Sequence, residues 1–289
     1  MFGRNEIIGS KYFDAAPERS MKVTSIFFTI QGEGPFTGRP AMFIRLAHCN
    51  LNCSFCDAYF DTGKYMNFEE IEAKMQESID DYFQGDSPYW ASSGKYFSGL
   101  EMPSPTRRGM VLVITGGEPM IQPNLEEFIL YMRQKFDQVQ IESNGTKLLN
   151  IHGGAVLVVS PKCSEKTGKY LTPNKEVLDR ADCFKFIVSA DPESPYHEIP
   201  DWAHDWRYNG KKVYISPMNM YLEEPRAAKI DNYFGDLKDR STIDERISFW
   251  TPGLLDYKQN QLNHEYAAKY VMDYNFNLCL QTHLYASLP

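Results

Sequence analysis

The chain has 289 residues, of which 43% are hydrophobic and 24% charged, and a formal net charge of −8. These proportions fit a globular protein of one or two domains and exclude a disordered or fibrous chain. The acidic balance argues against direct binding to nucleic acid or to anionic lipid.

No apolar run approaches the ~20 residues of a membrane span. Residues 1–20 mix charges with no apolar stretch, so no secretory signal is read and a reducing, cytoplasmic setting is expected. Met21-Lys22 opens the first convincing strand, which leaves 1–20 as an N-terminal extension before a single domain over 21–289. Phe68 to Phe83 is acidic and amphipathic and predicts a helix. Residues 84–109 hold Gly, Ser, Pro and aromatics without periodicity and read as an insertion. Val111 to Ile114 is a short apolar run suited to a strand buried on both faces, and so are Val156 to Val159 and Phe184 to Val188. Between the first two, Leu125, Phe128, Ile129, Met132 and Phe136 follow helical spacing after a Pro123-Asn124 start. Residues 219–262 are charged and irregular and read as a second insertion. His264 to Tyr274 predicts a helix, and Leu278 to Thr282 a closing strand. Strands alternating with helices predict an α/β fold with a parallel sheet, as a complete or partial barrel.

The six cysteines are unevenly placed. Cys163, Cys183 and Cys279 are scattered and read as small buried hydrophobes. Cys49, Cys53 and Cys56 form a C-x3-C-x2-C triplet. A structural zinc site wants four ligands, usually as two pairs, and no second pair occurs; His48 adjoins Cys49 too closely to converge with it on one metal. Three thiolates on one loop match a [4Fe–4S] cluster with one iron left open. Val113-Ile-Thr115-Gly116-Gly117-Glu118-Pro119 follows a buried strand. A lone Gly-Gly marks a turn, but at the C-terminal end of a barrel strand it lies on the catalytic face.

The triplet and the Gly116-Gly117-Glu118 segment, in that order, closely resemble the radical S-adenosylmethionine (SAM) superfamily. The flanks sharpen this. Thr29-Ile30-Gln31-Gly32-Glu33-Gly34, Arg45, Ile141-Glu142-Ser143-Asn144-Gly145-Thr146, Val159-Ser160-Pro161-Lys162, Lys185-Phe-Ile-Val188, Ile215-Ser216-Pro217-Met218-Asn219 and Gln281-Thr282-His283 resemble the 7-carboxy-7-deazaguanine synthase family. The resemblance implies a partial (β/α) barrel that converts 6-carboxy-5,6,7,8-tetrahydropterin to 7-carboxy-7-deazaguanine, a carbon–nitrogen lyase step in queuosine-type biosynthesis. A hydrogen atom leaves C6, the ring contracts, ammonia departs and SAM is regenerated. It implies Cys49, Cys53 and Cys56 as cluster ligands. It assigns SAM contacts to Phe55, Cys56, Asp57, Gly116, Gly117, Glu118, Ser160, Pro161, Lys162, Ser216, Pro217, Met218 and Asn219. Pterin contacts fall to Ile30, Gln31, Gly32, Arg45, Thr115, His283 and Pro289.

Some of these residues have blander readings. Alone, Gly32-Glu33-Gly34 is an ordinary hairpin turn, Arg45 a surface ion pair, and Pro289 the end of a frayed tail. Arg45 suits the substrate carboxylate as a bidentate partner, and the terminal carboxylate of Pro289 suits the guanine-like edge. The resemblance also implies an electron donor such as flavodoxin or ferredoxin, and a homodimer. Two positions depart from the pattern. Ala58 stands where the family usually has the Thr or Ser that helps bind magnesium, so a Mg2+ cofactor is doubtful unless Asp57, Asp61, Thr62 or water takes over. Leu284 stands where a Lys is usual. Rival expectations are a glycyl-radical-enzyme activase, which shares the triplet, and a non-catalytic scaffold holding structural zinc.

Overall fold

Ser20–Ile30 alternates buried and half-buried positions, the period-two pattern of a strand covered mainly on one face. This strand, β1, pairs antiparallel with β2 (Pro40–Leu46) on one side and with β3 (Lys64–Asn67) on the other. The computed structural model describes residues 7, 13, 15–58, 60–84, 109–151, 154–221 and 256–285. From β2 onward the sheet is parallel: β4 (Val111–Gly116), β5 (Gln138–Ser143), β6 (Val156–Val159), β7 (Cys183–Val188), β8 (Lys212–Pro217) and β9 (Asn277–Leu278). The order is β3-β1-β2-β4-β5-β6-β7-β8-β9, nine strands that remain open between β9 and β3 among the described residues. The fold is a partial barrel.

Helices cover one face. They are α1 (Phe68–Gln84), α2 (Leu125–Arg133), α3 (Lys175–Arg180), α4 (Asp201–Tyr208), α5 (Tyr257–Tyr274) and the short α6 (Thr282–Tyr285). Phe68, Phe128, Met132, Ala267 and Tyr270 of these helices join Ile44, Leu112, Ile114, Ile141, Leu157, Phe184 and Ile215 of the strands in one core. Burial of this apolar surface is the main force holding the helices to the sheet. The opposite face carries smaller clusters, such as Ala41, Val111 and Val113. Polar side chains fill the rest of that face, which leaves a hollow at the C-terminal ends of the parallel strands.

The three apolar runs lie in β4, β6 and β7, where Val111, Val158 and Phe184 are fully buried. Leu125, Phe128, Ile129 and Met132 are buried along α2, with Phe136 buried just beyond it. Three expectations need correction. The sheet is not wholly parallel: at one edge β1 runs antiparallel to both of its neighbours, β2 and β3. The closing strand ends at Leu278: Cys279 N still donates to Ile215 O at 2.8 Å, but the chain then turns into α6. The helix expected from His264, α5, begins at Tyr257, seven residues earlier, with Asp256 accepting from Gln259 N as its cap. Its first turns bury asparagines instead of apolar groups, which hides the helical period. Asn260 exchanges hydrogen bonds with the backbone of Met220, and Asn263 bridges Met218 O and Ala190 N. Residues 85–108 and 222–255, most of the two expected insertions, lie outside the described residues. Of the N-terminal extension, Phe13 is buried against the His48 ring and Ile7 pairs with Cys49.

Candidate active site

At the end of β2 the chain turns through His48, whose φ of 73° is left-handed, into the cysteine loop. The end of β4 fixes that loop from below. Gly117 N donates to Leu46 O at 2.9 Å and Glu118 N to His48 O at 2.8 Å. A Cβ on Gly117 would stand 1.7 Å from His48 O, and one on Gly116, at φ +126°, would stand 2.1 Å from Leu46 O. Both glycines are therefore required by backbone packing against the loop.

Glu118 does not reach the cavity. Its carboxylate is fully buried and accepts from Met120 N, Ser143 Oγ and Asn144 N at 3.0, 2.9 and 2.6 Å. Burial pushes its carboxyl up while those donors pull it back. It holds the exit of β5, from which Asn144 Nδ2 reaches Cys49 Sγ at 3.8 Å and Asn50 Oδ1 at 2.9 Å. Burial pushes the Cys49 and Cys56 thiols up to about 12, and the Cys53 thiol up as well. Sulfurs so placed call for a bound cation to ionise them, and a cluster supplies it. Among the described residues no group of three His, Cys, Asp or Glu is set to hold one metal ion. A cluster makes a different demand, one thiolate on each of three irons, and three loop cysteines facing one hollow fit it.

The hollow is a cavity of about 240 Å3. Its lining divides by chemistry into a cysteine wall, with Phe55, Asp57, Gly116, Gly117, Ser160, Lys162 and Ser216 to Asn219, and a second wall with Gln31, Arg45, Thr115 and His283. Lys162 Nζ donates to Ser160 O and Oγ at 2.8 and 2.6 Å, and burial lowers its pKa against the pull of Cys53. Arg45 Nε is buried without a hydrogen-bond partner, and its guanidinium lies 6.0 Å from the Phe27 ring. Burial lowers the pKa of Arg45, opposed by Asp57 and Cys56. An arginine so placed is set to take an anion. Burial also lowers the pKa of His283, opposed by Glu33 and Asp57.

Four expected residues are not on the walls. Besides Glu118, they are Ile30, which pairs with Pro40 at the end of β1, together with Pro161 and Gly32. Gly32 lies under His283, where a Cβ would meet Nδ1 at 2.2 Å. Pro289 lies outside the described residues. Ala58 is buried beside Cys49 and Phe60.

The structure adds Glu33, Glu142 and Lys185 to the walls. Lys185 Nζ sits 2.9 Å from both Glu33 Oε2 and Glu142 Oε2, and Gln140 Nε2 donates to Glu142 Oε1 at 2.5 Å. Burial alone would lower the lysine pKa, but Glu142 and Glu33 hold it well above its ordinary range. The visible signal was one Lys inside an apolar strand, a position that demands a partner. Gln281 is a further polar addition. Its Nε2 donates to Asp57 Oδ2 at 3.0 Å and its Oε1 accepts from Asn219 Nδ2 at 2.5 Å.

No family model matches the chain. Curated proteins named 7-carboxy-7-deazaguanine synthase do. The one from Rickettsia prowazekii is 33% identical over 231 residues, covering 72% of this chain and 87% of the relative. The one from Rhodospirillum rubrum is 30% identical over 203 residues, covering 69% and 71%. The one from Bacteroides thetaiotaomicron is 34% identical over 179 residues, covering 62% and 76%. Among solved structures, QueE from Escherichia coli superposes with a TM-score of 0.51 at 19% identity, covering 95% of this chain and 99% of that one, and supports the fold.

Proposed function

The chain belongs to the 7-carboxy-7-deazaguanine synthase family of radical SAM lyases, and from that premise we propose that it converts 6-carboxy-5,6,7,8-tetrahydropterin to 7-carboxy-7-deazaguanine with ring contraction and loss of ammonia. The observation that carries this reading is the cavity's two-sided chemistry. Three cysteines and three strand-end segments line one side, and an arginine with a Glu33–Lys185–Glu142 ion triad lines the other.

In this reading Cys49, Cys53 and Cys56 hold a [4Fe–4S] cluster, and the bound cluster and SAM supply the radical that takes a hydrogen atom from substrate. Phe55 to Asp57, Gly116, Gly117, Ser160, Lys162 and Ser216 to Asn219 cradle SAM. Glu118 and Pro161 serve that cradle from behind it, the former by fixing the β5 exit. Arg45 takes the substrate carboxylate in a bidentate pair, with its unpartnered Nε as one donor. Gln31, Thr115, Glu33 and Glu142 meet the polar edges of the pterin, with Ile30 and Gly32 shaping the floor beneath. Lys185 orients both carboxylates through its two ion pairs. His283 is neutral at neutral pH, because burial depresses it, and so is able to accept a proton at a ring nitrogen. Pro289 is counted with the pterin contacts in this reading.

Magnesium fits poorly at Ala58, whose methyl offers no oxygen and packs on Phe60, so we assign a weak magnesium requirement. Flavodoxin or ferredoxin is the reductant in this reading. The protein works in the cytoplasm as a homodimer, without direct contact to nucleic acid. No helix among the described residues is long and apolar enough to cross a membrane. Residues 21–289 act as one domain.

The test is turnover. Anaerobically reconstituted protein, incubated with the pterin, SAM and dithionite, is expected to form 7-carboxy-7-deazaguanine detectable by mass. SAM cleavage without that product, or a protein-centred glycyl radical formed on a partner, would overturn the reading.

A further inference from the structure

Gln281 has no role in that account, yet its carboxamide ties together two segments of the cysteine wall, and the residues that follow it reach the other wall. Asp57, which accepts from Gln281 Nε2, directly follows Cys56 in the cysteine loop. Asn219, which donates to Gln281 Oε1, follows the end of β8. The next residue, Thr282, donates from its N and its Oγ1 to Gly32 O at 3.2 and 3.4 Å. His283 then occupies the space that a side chain on residue 32 would need. One short segment thus grips the cysteine loop, the end of β8 and the turn after β1. Asn219 is steadied from outside: its Oδ1 faces His264 Nε2 at 3.3 Å, and the Tyr285 hydroxyl meets His264 Nδ1 at 2.9 Å.

We propose that Gln281 is a positioning residue that couples SAM binding to pterin binding. The inference rests on the proposed function, which places SAM beside Asp57 and Asn219 and the pterin beside Gly32 and His283. Either ligand then favours the same closed setting of residues 281–283, and each raises affinity for the other by one common factor, as linkage requires. The polarity of the hydrogen bonds explains the residue type. Asp57 only accepts and Asn219 presents a donor, so the group between them must donate from one atom and accept on another, which a carboxamide does. A carboxylate at 281 would face Asp57 with like charge, and a methyl would leave both neighbours unpaired.

The experiment uses the reconstituted holoenzyme. SAM affinity is measured by calorimetry with and without 6-carboxytetrahydropterin. The proteins are wild type, Gln281→Ala, Gln281→Glu, Asp57→Asn and the paired Asp57→Asn/Gln281→Glu variant. In the pair, the new amide at 57 donates to the new carboxylate at 281, which still accepts from Asn219. Wild type is expected to show mutual enhancement. Gln281→Glu should lose it and bind SAM roughly tenfold more weakly, the scale of one hydrogen bond to a charged group. The pair should bind SAM more tightly than its two single changes added together predict and should regain mutual enhancement, a departure from additivity that a passive structural role would not produce. Should Gln281→Glu not fold, Gln281→Ala and the pair carry the same comparison.

The coupling is overturned by three results: wild type binds both ligands independently; Gln281→Ala keeps full enhancement; or the pair binds no better than the sum of its single changes predicts. Wild type that binds neither ligand overturns the proposed function itself.

Discussion

The two walls of the cavity are built by different physics. The cysteine wall is made by backbone. Gly116 and Gly117 pack without side chains against Leu46 and His48, and Glu118 spends its carboxylate on three internal donors. The opposite wall is made by charge: the Glu33–Lys185–Glu142 triad is held by its own ion pairs, and Arg45 adds a buried Nε without a hydrogen-bond partner. A cofactor common to many chemistries needs a fixed shape, and close-packed backbone supplies it. A single polar substrate needs discrimination, and buried charges that lose much when left unpaired supply that.

Four changes separate the walls, taken from the largest expected effect. Cys53→Ala removes one of three thiolates on its loop, and both cluster content and turnover should be abolished. Iron analysis and product mass check this, and a full cluster with normal turnover would end the cluster assignment. Lys185→Met strands two carboxylates and should lower stability by about 3 kcal/mol at neutral pH. Denaturant melts read that loss, which should shrink in acid as the stranded carboxyls take up protons. Pterin affinity should fall while SAM affinity stays. In wild type, Lys185 has a folded pKa raised well above its ordinary value. Its contribution is therefore fully present below about 10.4 and is lost only as pH rises through the higher folded value, which leaves no slope from this group between pH 5 and 9.

Gly117→Ala attacks the other wall. The new methyl meets His48 O, and overpacking of this kind costs about 1–3 kcal/mol. Cluster content and SAM affinity should drop with pterin affinity preserved in the fraction that retains its cluster. An unchanged melting curve would show that the loop yields easily. The smallest effect belongs to Ala58→Thr, which adds a hydroxyl beside the cysteine loop and should increase the response of turnover to magnesium. A wild type that is inactive without magnesium and saturates at low concentration would show that other oxygens hold the ion.

The cysteine wall was largely legible in the sequence because its chemistry is local. Three Cys within eight residues and a Gly-Gly at a strand end name themselves, although the glycines serve the loop backbone and Glu118 faces inward. The charged wall was only half legible. Arg45 stands out between two apolar residues, but the Glu33–Lys185–Glu142 triad joins positions 152 and 43 residues apart and exists only once β1, β5 and β7 are assembled. The fold followed the same rule. The buried parallel strands announce themselves as apolar runs, whereas the start of α5 is disguised by Asn260 and Asn263, whose burial is satisfied by backbone partners from β8's exit and from the segment after β7.

The hydrogen bonds from Thr282 to Gly32 also govern when the molecule becomes competent. They close a span of 250 residues. Synthesis delivers β1 and β2 early, and their antiparallel pairing is a nearby contact that forms quickly. The wall segment at 281–283 emerges some 235 residues after β2's last residue and has to find a turn that has long since folded. Until it docks, the cysteine loop lacks its Gln281 tie and the cavity lacks one side. A ribosome-bound chain therefore carries most of its core yet no enclosed chamber, and any radical chemistry is deferred until the cavity can be sealed.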